Sequence, residues 1–83
     1  MKILALDLGK SKSVACVFES STSEHRFDSA PTNPEAFRPM LEHYKPDRVV
    51  IEISPLAGWV GDLVRSLGME LQVANVNDEA WQL

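Results

Sequence analysis

Most apolar residues of the chain fall into short runs that predict β-strands. Lys2 to Leu8 and Ser13 to Glu19 are two such runs, and the turn GKSK between them predicts an antiparallel hairpin. The next segment, SSTSEHRFDS, is more polar and alternates weakly, which is typical of an exposed third strand. Two later runs, RVVIEIS and MELQVANV, predict two more core strands.

Apolar residues at helical spacing predict two helices between the later strands. The first helix is expected to begin after Asn33, a natural N-cap followed by proline, and to run to about Tyr44. Pro39 inside this segment predicts a kink or a later start. The segment WVGDLVRSLG predicts an amphipathic second helix that ends at Gly68. A third helix is expected to start in NDEAWQL, at the end of the sequence.

The predicted order of elements is β-β-β-α-β-α-β, followed by the start of another helix. Three leading strands and then alternation of helix and strand are typical of an α/β protein with a mixed sheet and helices on its faces. The length of 83 residues argues for one domain, so residues 1–83 are expected to form a single domain. A domain this small buries only about 60% of the surface that its unfolded chain exposes, which predicts a thin margin of stability.

Composition and charge narrow the classes of function. The contents of 45% hydrophobic and 24% charged residues are those of an ordinary globular protein. A net charge of −4 argues against a strong grip on nucleic acid by this chain alone. No apolar stretch approaches the roughly 20 residues of a membrane helix, so no membrane partner is expected. The single cysteine, Cys16, predicts a small buried side chain and no internal disulfide, which favours a cytoplasmic location.

Two of the predicted core strands each contain one carboxylate, Asp7 and Glu52. If these strands are neighbours in similar register, both acids project from one face, where they repel each other unless a cation lies between them. A divalent metal bound by Asp7 and Glu52 is therefore one interpretation, because Mg²⁺ prefers carboxylate oxygens and supports attack on phosphodiesters. The alternative is structural: Asp7 caps the turn that follows, and Glu52 points outward beyond the end of its strand.

The turn after Asp7 suggests a competing kind of site. Gly9, Lys10 and Ser11 form a glycine turn with an adjacent cation, which can hold a phosphate through backbone N–H groups. The spacing is not that of a P-loop, and the turn leads into a strand instead of a helix. Sugar kinases and actin-like ATPases use a similar aspartate–glycine hairpin, so a nucleotide-binding module is an alternative function. A plain hairpin turn explains the same residues.

Two segments resemble the N-terminal part of the IS110-type transposases. ALDLGKSKSVACVF is similar to the opening hairpin of that family, and VVIEISPLAGWVGDLVRSLGMELQVANVN is similar to its block beginning with a strand-borne glutamate. The resemblance implies a RuvC-like, ribonuclease-H-like fold. The family holds divalent ions with four acids in the order Asp, Glu, Asp, Asp, so the resemblance implies that Asp7 and Glu52 are the first two catalytic metal ligands.

The resemblance also implies cofactors and partners. Mg²⁺ or Mn²⁺ and DNA are expected for the whole transposase, whether or not a guide nucleic acid takes part. In relatives the last two acids lie beyond the position of Leu83, so the chain is expected to be an N-terminal fragment without appreciable activity alone. A further alternative function is a non-enzymatic remnant or interaction module: a domain that stops before its third helix is expected to leave apolar surface on one sheet face and to self-associate through it.

Overall fold

The predicted order of seven elements is confirmed. The structure is a computed structural model that describes residues 1–74; the helix expected in NDEAWQL lies outside these residues. Each observed boundary lies within a few residues of the predicted one. The elements are β1 (Lys2–Asp7), β2 (Lys12–Glu19), β3 (Glu24–Pro31), α1 (Pro34–Tyr44), β4 (Arg48–Glu52), α2 (Ala57–Ser66) and β5 (Glu70–Ala74).

The five strands form one mixed sheet in the order β3-β2-β1-β4-β5. The first three strands are antiparallel because short connections join them, and the predicted hairpin between β1 and β2 is confirmed. β4 and β5 run parallel to β1, since each follows a helix that returns the chain to the same end of the sheet. The expected α/β class with a mixed sheet is therefore confirmed.

Both helices pack on one face of the sheet, so the expectation of helices on its faces is wrong for residues 1–74. The crossovers from β3 through α1 to β4 and from β4 through α2 to β5 advance in the same direction across the sheet. Right-handed crossovers that advance in one direction place their helices on the same side. The fully buried core between the helices and the sheet includes Leu4, Phe37, Leu41, Val49, Ile51, Val60 and Val64.

Local sequence signals explain where the helices begin and end. The Asn33 side chain accepts a hydrogen bond from the Ala36 N–H at 2.7 Å, so the predicted N-cap of α1 is confirmed. α1 begins at Pro34 and continues through Pro39, so it does not start late. After α2 the chain turns at Gly68, whose φ of 75° lies in the left-handed region that glycine favours. Within residues 1–74, neither helix is long and apolar enough to cross a membrane.

Candidate functional site

Asp7 and Glu52 occupy matching positions on neighbouring strands. β1 and β4 are adjacent and parallel, and their register places Leu6 opposite Ile51. Asp7 follows Leu6 and Glu52 follows Ile51, and each acid is the last residue of its strand. Leu6 and Ile51 point into the helix-covered core, so alternation along each strand directs both acids to the opposite, uncovered face. The structure therefore brings the two predicted site residues together.

A shallow depression on the uncovered face contains both acids. Its volume is about 330 Å³. The lining is mainly apolar apart from the two carboxylates, and it comes from strands β1 to β4. The residues that line it are Ala5, Leu6, Asp7, Val14, Cys16, Phe27 and Glu52. A group bound here would lie against the sheet with both carboxylates beside it.

The two carboxylates have no competing protein contacts in the part of the chain that the structure describes. Asp7 is exposed and Glu52 is half-buried. Neither side chain makes a hydrogen bond or an ion pair with another residue among residues 1–74. No hydrogen bond among residues 1–74 supports Asp7 as a cap of the following turn, and Glu52, the last residue of β4, lines the depression. Both carboxylates are available to a cation.

Two carboxylates are an incomplete ligand set for metal-dependent phosphodiester chemistry. No group of three or more His, Cys, Asp or Glu side chains is clustered for metal binding within residues 1–74. Mg²⁺ accepts one or two protein carboxylates when waters and substrate phosphates complete its six ligands. The pair therefore fits the protein side of one such ion, held with modest affinity.

The turn formed by Gly9, Lys10 and Ser11 has a structural role of its own. A side chain at position 9 would overlap the carbonyl oxygen of Lys12, so only glycine allows this close approach of the backbone. The Gly9 carbonyl accepts a hydrogen bond from the Thr32 hydroxyl at 2.7 Å, and that hydroxyl contacts Ser13 Oγ at 2.7 Å. The glycine is thus explained by the close approach of the Lys12 carbonyl, and the Thr32 hydroxyl holds the turn against the segment that precedes α1.

The turn lies apart from the acid pair despite its place directly after Asp7. Lys10 and Ser11 are exposed and Gly9 is half-buried, and none of the three lines the depression that contains Glu52. The Ser11 carbonyl accepts from the Thr32 N–H at 3.0 Å. The predicted phosphate-binding residues therefore form a second, separate surface at the carboxyl end of β1.

Sequence reasoning missed three residues beside these sites. Cys16 is half-buried, so the expectation of a buried cysteine is wrong; it lines the depression on the uncovered face. Phe27 also lines it and is 67% exposed. Thr32 holds the Gly9 turn from 23 residues away. Alternation along β2 and β3 places Cys16 and Phe27 on one face, but no sequence pattern pairs Thr32 with Gly9.

Comparisons with known proteins identify no family for this chain. No protein-family model matches the chain, and no curated protein matches it significantly. What the site can do therefore follows from its residues and their placement.

Proposed function

We propose that the chain supplies the first two metal ligands of a DNA transposase of the IS110 type. The observation that carries this proposal is the matched placement of Asp7 and Glu52 on neighbouring parallel strands, facing the same uncovered surface. A ribonuclease-H-like sheet, as the resemblance implies, is consistent with a mixed five-stranded sheet whose first three strands are antiparallel. The reaction of the whole protein would be cleavage or transfer of a DNA strand.

The sheet places the two carboxylates side by side for binding of a divalent ion. Each acid ends a strand that is hydrogen-bonded to its neighbour, so the backbone fixes the spacing of the two positions before any ion binds. Asp7 and Glu52 would hold Mg²⁺ or Mn²⁺ through carboxylate oxygens. The ion would supply Lewis-acid stabilisation of a phosphodiester and activation of the attacking oxygen.

The chain alone is expected to lack appreciable nuclease or strand-transfer activity. Residues 1–74 bring together two carboxylates, whereas the resemblance implies four, and the members of a catalytic unit act together. The net charge of −4 leaves most of the contact with DNA to other parts of the protein. Lys10 is the basic residue closest to Asp7 along the chain, and Lys2 and Lys12 each lie five residues away.

Titration of the chain with Mn²⁺ tests the proposed ligands. Paramagnetic broadening of backbone amide signals is expected to be strongest at the carboxyl ends of β1 and β4, with an affinity in about the millimolar range because only two carboxylates bind. Asp7→Asn and Glu52→Gln should each remove this broadening. Diamagnetic Mg²⁺ should compete with Mn²⁺ for the same signals.

Matched controls separate a defined site from general attraction of cations to an acidic protein. Asp62→Asn and Glu42→Gln remove the same charges from exposed positions on the helices and should leave the broadening unchanged. Broadening that is spread over all acidic residues, or that persists in both Asp7→Asn and Glu52→Gln, would reject the metal site and with it the transposase proposal.

Phosphate binding by the Gly9 turn is the second candidate function. The exposure of Lys10 and Ser11 beside a tightly folded glycine turn favours it, because an exposed cation next to such a turn can contact a phosphate. A nucleotide-handling module would show protection of the Gly9–Lys12 amides from hydrogen exchange when ATP is added. Lys10→Ala should weaken that protection, whereas Asp7→Asn should not.

A further inference from the structure

Strand β3 forms an open edge of the sheet. It is eight residues long and pairs only with β2, so the backbone groups along its other side have no partner strand within residues 1–74. Residues 24–29 are all exposed. A long, accessible edge of this kind is a template for pairing with another strand.

The side chains of β3 alternate in a way that suits one kind of partner. Glu24, Arg26 and Asp28 share the face that carries the helices, because Arg26 lies opposite buried Val17 in the ladder. His25 and Phe27 share the uncovered face, where Phe27 is 67% exposed. Charged residues usually protect an edge from pairing, but here their signs alternate along one face.

We propose that two copies of the chain associate through β3, in an antiparallel pair centred on Phe27. Phe27 then lies opposite the partner's Phe27, and Arg26 of each copy lies opposite the partner's Asp28. The result is one continuous sheet with the five strands of each copy side by side. This inference is independent of the proposed transposase function, and it differs from packing of two uncovered faces against each other.

Charge and strand length together favour this register over the symmetric ones centred on Arg26, Asp28 or His25. Centring on Phe27 aligns residues 24–30 and forms two pairs of opposite charge, which are favourable across neighbouring strands. Centring on Arg26 would place two arginines together, and centring on Asp28 would place two carboxylates together. Centring on His25 would align only residues 24–26, because Ser23 has a φ of 61° and ends the extended segment.

Asp28 and Arg26 lie on the exposed edge, where they can contact a second copy. The Tyr44 hydroxyl donates to Asp28 Oδ2 at 2.7 Å, which fixes the carboxylate on the exposed edge and holds the pKa of Asp28 below its usual range. Arg26 makes no ion pair with any residue described by the structure. Arg26 lies near Asp28 and Tyr44 of its own copy, and Asp28 of a second copy would supply the ion pair that Arg26 lacks among the described residues.

Pairing through β3 also extends an apolar row on the uncovered face. Val50, Ala5, Cys16 and Phe27 are cross-strand neighbours in β4, β1, β2 and β3. In the proposed pair this row continues through the partner's Phe27, so each ring covers part of the other. Cross-strand aromatic pairs stabilise a sheet beyond the backbone hydrogen bonds.

Charge reversal tests the proposed register. Arg26→Asp alone and Asp28→Arg alone should each weaken dimerisation of the 83-residue chain about tenfold or more, because each homodimer then contains two pairs of like charge. An equimolar mixture of the two variants should dimerise as strongly as the unmodified chain, since acidic and basic edges then face each other. Sedimentation equilibrium measures all of these associations, and circular dichroism verifies folding.

Controls on α1 match the changes in net charge. Arg38→Asp and Glu42→Arg alter exposed residues away from β3 and should leave dimerisation unchanged. An unmodified chain that stays monomeric at high concentration would overturn the proposal. Association that survives both single reversals would also overturn it and would place the contact on the uncovered face. An equimolar mixture that dimerises no more strongly than either variant alone would overturn it as well.

Discussion

Replacing Thr32 with valine removes a hydroxyl that connects three parts of the fold. Its proton is donated to the Gly9 carbonyl at 2.7 Å, and its oxygen lies 2.7 Å from Ser13 Oγ. Because the Thr32 hydroxyl has only one proton, Ser13 must be the donor in the second bond. Valine has nearly the same shape as threonine, so Thr32→Val changes the hydrogen bonds with little change in packing.

The size of the effect follows from burial of the groups that lose their partner. Ser13 is 1% exposed, so in Thr32→Val its hydroxyl is left as a buried donor, at a cost of about 1–3 kcal/mol. Loss of the bond to Gly9 adds about 1 kcal/mol. Ser13→Ala alone leaves no orphaned donor and should cost only about 0.5–1.5 kcal/mol. In the double variant the orphaned donor is gone, so its cost should fall below the sum by about 1 kcal/mol.

Urea unfolding followed by far-ultraviolet circular dichroism measures these differences in the free energy of unfolding. Ser29→Ala is a suitable control because Ser29 is exposed and its hydroxyl makes no hydrogen bond among residues 1–74, so its effect should be within about 0.5 kcal/mol. Costs of Thr32→Val and Ser13→Ala that add without interaction would refute the reasoning. A Thr32→Val variant as stable as the unmodified chain would refute it as well.

Three further perturbations test the turn after β1, the first turn of α2 and the contact between β3 and α1. Gly9→Ala should destabilise the fold by about 1–3 kcal/mol in urea unfolding, because the added Cβ overlaps the Lys12 carbonyl. Gly58→Ala, at an open position in the first turn of α2, should instead stabilise the fold by about 0.5–1 kcal/mol. The hydrogen bond from Tyr44 lowers the pKa of Asp28, so its stabilisation is complete above the unfolded-state pKa and is lost as pH falls through the folded-state value. Tyr44→Phe should therefore flatten the fall of Tm at acid pH, and an unchanged profile of Tm against pH would contradict this.

The secondary structure could be predicted because its signals are local. Asn33 followed by proline begins α1, Gly68 marks the turn after α2, and alternation of apolar residues identifies the strands. The misplaced boundaries have local causes as well. α2 begins at Ala57 instead of Trp59 because the Ser54 side chain and backbone organise the turn that leads into the helix.

The two acids of the candidate site could be predicted from the sequence in the same way. A carboxylate within an apolar run is costly to bury, so Asp7 and Glu52 stood out before any contact was known. The surroundings could not be predicted: Cys16 and Phe27 join the site from two other strands, and their exposure depends on both helices packing on the opposite face. The Thr32 bond to Gly9 joins residues with no pattern in common.

The order and type of the elements, and the identity of the two acids, were determined by the sequence alone, because propensity, capping and alternation act over a few residues. Tertiary structure decided that β4 lies beside β1, in a register that aligns Asp7 with Glu52. It also decided that one face of the sheet remains uncovered and that β3 forms an open edge. These features depend on the direction of the crossovers and on pairing between distant segments, and no local stretch of residues contains that information.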